Sequence, residues 1–267
     1  MGRGPGRWIE AGAKEQLERF GHRVELGRVR PNVAQADQLN AVLELNRALS
    51  AQVRAAARVG SAPLVLAGCC NSALGTLGAL AGEDIGVIWF DAHGDFNTPA
   101  TSPSGFLDGM ALALCAGLCH REPLNRFGLL RPVAPARIAH IGGRDFDPGE
   151  REALERLGGQ VVSAQQLRRG GVQAEVSRVL DQLEPQVRGV YLHVDIDVLD
   201  PARYPANQFP APGGLELDEL IAAIEMIGSR LQVRAAALTA YDPEYDPQGS
   251  TLAAGLQTLR TLATLLT

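Results

Sequence analysis

Apolar residues recur along this chain in two alternating rhythms. Short runs rich in Val, Ile and Leu occupy residues 23–26, 64–66, 85–90, 137–141, 160–162, 189–194 and 233–238. Continuous apolar runs of this length mark strands buried on both faces. Between them, residues 8–20, 36–59, 72–81, 107–118, 149–157, 172–183, 217–228 and 251–266 carry apolar positions at three- and four-residue intervals. That is the helical period. Ser163 followed by Gln166 has the form of a capping box and places a helix start there.

Buried strands alternating with helices predict a parallel sheet covered on both faces. The expected fold is α/β: a three-layer α/β/α arrangement with a mostly parallel sheet of about seven to eight strands. No composition shift, repeat or linker divides the chain, so one domain over residues 1–267 is expected. Stretches rich in Pro and Gly at 97–105 and 201–214 directly follow strands, where such sheets carry their functional loops.

Charge and cysteine usage remove several function classes. The net charge is -5 and the basic residues are scattered singly, so neither nucleic acid nor an anionic membrane finds an electrostatic footprint. The apolar runs are too short to span a bilayer. Cys69, Cys70, Cys115 and Cys119 occur without a leader-like start, which fits a reducing cytoplasm better than a disulfide framework. A cytoplasmic protein with a small-molecule partner is expected.

The chemistry lies at two strand ends. In "VIWFDAHGDFNTP" the strand of residues 85–90 runs into Asp91, His93 and Asp95 at every second position. Side chains alternate across extended backbone, so these three point to one side. In "VYLHVDIDVLDP" a second strand reaches Asp195 and Asp197 with the same spacing. Open α/β sheets build their sites at the carboxyl ends of strands, which brings both sets to one cleft. Four carboxylates and an imidazole there would repel one another unless cations neutralise them. Oxygen-dominated ligation with some nitrogen favours manganese or a similar divalent ion, and shared carboxylates allow a two-metal site.

The ordered motifs "DAHGDFNTP", "SGFLDG", "GGRDFDPGE", "DIDVLDP" and "AYDP" resemble the manganese ureohydrolases, the family of arginase, agmatinase and formimidoylglutamase. The resemblance covers most of the chain. It implies an arginase-like fold that assembles as trimers or hexamers, with a strand ahead of residues 2–7. It also implies two manganese ions held by Asp91, His93, Asp95, Asp195, Asp197 and one histidine from an earlier loop. In that family a metal-bound hydroxide attacks the guanidinium carbon, and Asp95 would orient it. Metal binding lowers the pKa of water from about 16 towards 7, which supplies hydroxide at neutral pH. Asn97 and Ser104 match positions that hold a substrate α-carboxylate, and Asp147 and Glu150 match those near the α-amino group. Asn97 also fits a simple turn, and Asp147 and Glu150 a helix start.

Three positions depart from the family pattern. In "VLAGCCNSALGT", Cys70 stands where the histidine ligand belongs, or Asn71 if the alignment shifts by one. A thiolate suits zinc or iron better than manganese, so one ion is expected to be held more weakly or the metal preference to move. A buried structural thiol is the other reading of Cys70. Asp108 replaces a histidine proposed to pass a proton to the leaving group. Ala240 replaces the glutamate that grips the guanidinium, with Asp242 the nearest carboxylate and Tyr241 a nearby hydroxyl. A buried cation lacking its partner is costly, so plain arginine should bind poorly. The expectation is a manganese-dependent hydrolase cleaving a C–N bond of a guanidino or amidino amino acid and releasing urea or a related product, with N-hydroxyarginine favoured over arginine. The competing expectation is an inactive relative that keeps the fold for binding or assembly.

His193 shares a strand face with Asp195 and reads as a support, a substitute ligand or a core residue. His22, His120 and His140 have no ligand spacing. Cys115 and Cys119, one helical turn apart, read as a packing face before a metal clip.

Overall fold

The computed structural model describes residues 1–30, 37–80 and 84–266. In chain order the elements are α1 (Gly4–Glu10), α2 (Ala13–Arg19), α3 (Gln38–Arg58), β1 (Leu64–Leu66), α4 (Ala73–Ala79), β2 (Ile85–Phe90), α5 (Ala111–Cys115), α6 (Arg121–Arg126), β3 (Ile138–Gly143), α7 (Glu150–Arg156), β4 (Gln160–Ser163), α8 (Ala164–Gly170), α9 (Val172–Leu183), β5 (Gly189–Asp195), α10 (Leu217–Arg230), β6 (Val233–Thr239) and α11 (Ser250–Thr264).

Among the described residues the strands form one six-stranded sheet in the order β1-β6-β5-β2-β3-β4, and every pairing is parallel. The sheet is therefore smaller than the pattern predicts. Residues 23–26 pair with no strand, since Arg23, Glu25 and Leu26 stay exposed and only Val24 is half-buried. The helix expected over 8–20 is two helices, because Gly12 at φ +89° breaks the first and starts the second. The expected helix ends at Ala36 and Ala81 lie outside the described residues. The capping box at Ser163 is present, with the Ser163 hydroxyl and the Gln166 side chain each satisfying the other's backbone N–H.

Two apolar layers sandwich the sheet. Ile88, Phe90, Leu192 and Val194 point to the side covered by α1 and α8–α11, and Val87, Trp89 and Tyr191 to the side covered by α3–α7. Strands β2, β3 and β5 are buried along their whole length, as continuous apolar runs require.

The site follows from this topology. After β2 the chain steps outward through β3 to β4, then returns to place β5 on the other side of β2. The crevice between β2 and β5 is thus the topological switch point, where open α/β sheets bind ligands. Residues Phe90 and Val194 are register partners, so Asp91 and Asp195 leave the sheet side by side. On the far side of β5, Asp195 is paired with Thr239. Strand β1 delivers Cys70 beside them through a short 3-10 turn, Cys70–Ser72, that runs into α4.

Gly75 sets how closely α4 lies on α3. A Cβ there would come within 2.7 Å of the Asn46 carbonyl oxygen and 2.9 Å of Leu49 Cβ. Gly75→Val should lower stability by about 1–3 kcal/mol, the usual range for overpacking. It should also weaken metal retention by displacing the Cys70 turn, read by denaturation midpoint and elemental analysis. Arg144 acts on the opposite wall. Its guanidinium donates to the carbonyls of Asp197, Val198, Leu199, Gly142 and Ala211 at 2.8–3.2 Å, tying two site loops to the end of β3. Arg144→Met should cost about 3 kcal/mol by removing the shared donor from those carbonyls, measured by denaturant unfolding.

Candidate active site

The strand ends meet at the floor of a cavity of about 170 Å³. Cys70, Asp91, His93, Asp95, Asn97, Ser104, Asp108, Asp147, Glu150, Asp195 and Asp197 all line it. Two sets of ligand atoms converge closely enough to share ions: Cys70 with Asp91 and Asp95, and His93 with Asp91 and Asp197, each set within 4.8 Å. Asp91 belongs to both, which gives the arrangement of a bridged pair. The sulfur of Cys70 lies 2.9 Å from Asp195 Oδ2 and 3.9 Å from Asp91 Oδ2. Of the two candidates in the early loop, Cys70 faces the carboxylates, and Asn71 instead donates to Asp108 Oδ1 through its backbone N–H at 3.0 Å and its amide at 2.9 Å.

The cluster contains far more acidic than basic groups. Burial, then the charges of Asp91 and Asp108, holds Asp95 well above the ordinary carboxylate range, and burial with Asp197 and Asp91 does the same to Asp195. Burial opposes the charge on His93, but its hydrogen bonds to Asp197 and Asp91 outweigh it and push the imidazole up to about 12. Burial likewise opposes ionisation of Asp197, and the same His93 contact overrides it, bringing the carboxyl down to about 2. His93 Nδ1 sits 3.4 Å from both Asp91 Oδ1 and Asp197 Oδ2. Asp95 Oδ2, by contrast, is buried with no hydrogen-bond partner. A buried carboxylate oxygen aimed at other acids without a donor is what a cation corrects. The donor set of carboxylates, imidazole and sulfur fits divalent metal.

Several residues that spacing does not reveal hold the ligands in place. Trp89 Nε1 donates to Asp91 Oδ2 at 3.1 Å, and the Asn207 amide donates to Asp197 Oδ2 at 3.0 Å and to the Ala240 carbonyl at 3.1 Å. Backbone N–H groups of His93 and Asp197 cap Asp91 and Asp195 at 2.7 and 2.9 Å. Such outer partners orient ligands. Asp95 and Ala240 adopt left-handed backbone, φ +52° and +62°, a conformation uncommon outside glycine that clusters at functional sites. Alternation could have pointed to Trp89, two residues before Asp91. Asn207 gives no signal beyond lying in a Pro-rich loop.

His193 is fully buried. It stacks on Trp89 with ring centroids 3.6 Å apart, and its nitrogens meet the Tyr191 hydroxyl at 2.9 Å and the Thr239 hydroxyl at 3.3 Å. Burial pushes its pKa down to about 3, so it is a neutral support behind the ligands. His140 is buried and hydrogen-bonds the His93 carbonyl through Nε2 at 2.6 Å. Cys115 and Cys119 are buried thiols that belong to no ligand group among the described residues.

The outer cavity is organised by loops. Asn97 donates to Asp147 Oδ2 at 2.7 Å and accepts from the Thr101 hydroxyl at 2.9 Å. Glu150 accepts from the backbone N–H groups of Phe96 and Asp147 at 2.9 and 2.7 Å, so both its oxygens clamp two site loops together. Ser104 lies in the exposed part of the rim, where Phe106 and Phe209 also line the opening. Asp108 is held by Asn71, and burial, opposed by the Asn71 N–H, pushes its carboxyl up to about 6. Asp242 is not brought to the cavity: one oxygen pairs with the Met1 ammonium at 2.6 Å and the other accepts from the Glu244 N–H. The Tyr241 hydroxyl donates to Asp246 at 3.1 Å, and its ring stacks on Trp8. Ala240 alone of this stretch lines the cavity.

No described helix is long and apolar enough to cross a membrane. The arginase family model matches residues 4–264. The chain is 34% identical over 260 residues to the arginase of Bacillus caldovelox, covering 93% of this chain and 87% of that one. It is 35% identical over 222 residues to the arginase of Bacillus subtilis strain 168, covering 82% and 75%. Its structure superimposes on the crystal structure of the arginase from Bacillus cereus with a TM-score of 0.90 at 32% identity, over 97% of this chain and 91% of the other. With the ligand-bearing strand ends at the sheet's switch point and similarity that spans nearly all of its length, this chain belongs to the arginase family.

Proposed function

We propose that this protein is a manganese-dependent hydrolase that cleaves a C–N bond of a guanidino or amidino amino acid, with a modified guanidine such as N-hydroxyarginine preferred over arginine. The observation that carries the reading is the convergence of two ligand sets sharing Asp91 on the cavity floor. Cys70, Asp91, Asp95 and Asp195 would hold one ion, and Asp91, His93, Asp195 and Asp197 the other. The metal supplies, when bound, a water acidic enough to act as nucleophile at neutral pH.

The chain's own residues do the rest. Asp95, with its unpartnered Oδ2, accepts a hydrogen bond from the attacking water and fixes its direction. Asn97, Ser104 and Asp147 line the cavity away from the ligands and receive the amino-acid end of the substrate. Glu150 contributes by holding the loops of Phe96 and Asp147 together. Asp108 faces the leaving group, and it donates a proton only in the fraction that is protonated, so a leaving group that needs little help is favoured. Ala240 puts no carboxylate on the guanidinium, and Asp242 points elsewhere. Both features count against a fully charged guanidinium such as that of arginine.

After dialysis with manganese and removal of loosely held ions, at least about one ion per chain should be retained, read by elemental analysis. Chelation should lower the melting temperature by about 5 °C, because it returns the carboxylates to mutual repulsion. No retained divalent metal and no shift on chelation would overturn the hydrolase and favour an inactive relative. Ala240→Glu tests the substrate preference. It should raise kcat/KM for arginine by about tenfold, the worth of one charge-assisted hydrogen bond, and leave N-hydroxyarginine nearly unchanged. Equal turnover of both substrates by the unmodified protein would refute the preference.

A further inference from the structure

The two ligand sets are chemically unequal. One is buried and contains the sulfur of Cys70 with the carboxylates of Asp91 and Asp95, and the other contains the imidazole of His93, which is partly open to the cavity, with Asp91 and Asp197. We infer that the Cys70 position is a thiolate position that selects a thiophilic divalent ion of the zinc, cobalt or ferrous class, whereas the His93 position accepts manganese, so that the centre loads as a mixed pair. This rests on the metallohydrolase reading and goes beyond it by assigning different metals to the two positions.

The surroundings of the sulfur argue against an inert core thiol. A structural cysteine is packed among apolar atoms. Cys70 borders the apolar layer, yet its sulfur also meets Asp195 Oδ2 at 2.9 Å, the Thr239 hydroxyl at 3.5 Å and Asp91 Oδ2 at 3.9 Å. Independently of the cysteine, Asp95 is 7% exposed and its Oδ2 has no partner, while it offers an oxygen within 4.8 Å of the Cys70 sulfur. The sulfur and a carboxylate oxygen of Asp95 therefore lie close enough to share one ion, on a carboxylate whose Oδ2 has no other partner.

Soft sulfur favours zinc, cobalt or iron over hard manganese, and the Irving–Williams order places manganese lowest among these ions. Ion entry is a ligand exchange. The S–H proton leaves to solvent as the sulfur–metal bond forms, and no electron is transferred. A thiolate in place of neutral imidazole also adds one negative charge to this position, which further favours a tightly held dication. At the other position His93, Asp91 and Asp197 provide nitrogen and oxygen without sulfur, a set that suits manganese.

The test uses the full chain stripped of metal and titrated with cobalt(II), followed by absorption. The first equivalent should produce a near-ultraviolet sulfur-to-cobalt charge-transfer band. Cys70→His should abolish the band yet still bind cobalt, seen in the visible d–d spectrum, which also shows that the variant is folded. His93→Ala should keep the band. Zinc should remove the band at a concentration at least about tenfold below that at which manganese does. Loading with equimolar zinc and manganese should leave about one of each per chain. Two manganese per chain with no sulfur band would overturn the mixed pair and leave the hydrolase reading intact. No bound cobalt, zinc or manganese would overturn both.

Discussion

Parallel, in-register pairing of β2 with β5 is the constraint on which the rest depends. It sets Asp91 beside Asp195 where the two strands leave the sheet, and the turns that follow bring Asp95 and Asp197 to the same floor. Buried acids this close cannot all be ionised without compensation. The protein supplies little of it. His93 is the one cationic side chain in the ligand groups of the described residues, and the neighbouring Arg144 spends its guanidinium on backbone carbonyls. The fold therefore builds an acid-rich cleft whose ligand groups could hold metal ions.

Precision in such a cleft comes from groups that never touch substrate. The Trp89 indole, the Asn207 amide and local backbone N–H groups hold the oxygens of Asp91, Asp195 and Asp197, which fixes how each carboxylate is turned. Behind them a run of polar contacts passes from Tyr191 through His193 and Thr239 to Cys70 inside the apolar core. Buried polar groups that are all paired are rigid, and rigidity is what a ligand set requires. Left-handed backbone at Asp95 and Ala240 is held against its preference by this packing.

Substrate choice is separated from metal binding in space. The ligands come from strand ends and the turns beside them, whereas the outer cavity is made of loops tied by Asn97, Asp147 and Glu150. The departures at Cys70, Asp108 and Ala240 divide along the same line. Under the proposed function, Cys70 would alter the metal environment, Ala240 the grip on the substrate cation, and Asp108, fastened by Asn71, the protonation of the leaving group. Each change replaces one side chain on a scaffold closely similar to that of solved arginases, so chemistry can shift with the fold retained.

Buried strands and amphipathic helices are legible in this sequence because hydrophobic periodicity is a local property of the chain. The three layers, the parallel sheet and the two strand ends that carry Asp91, His93, Asp95, Asp195 and Asp197 all follow from it. Residues 23–26 show the limit: the same apolar signal makes no strand where no partner covers it. Choosing between Cys70 and Asn71 needed the tertiary structure, since a 3-10 turn decides which side chain faces the acids. So did the supports from Trp89, Asn207 and Arg144, and the turning of Asp242 toward Met1 instead of the cavity. Those contacts join residues distant along the chain, and no local pattern encodes them. The sequence by itself determined most of the elements and which strand ends carry the clustered acids, while the tertiary structure decided how those side chains are aimed, held and left short of positive charge.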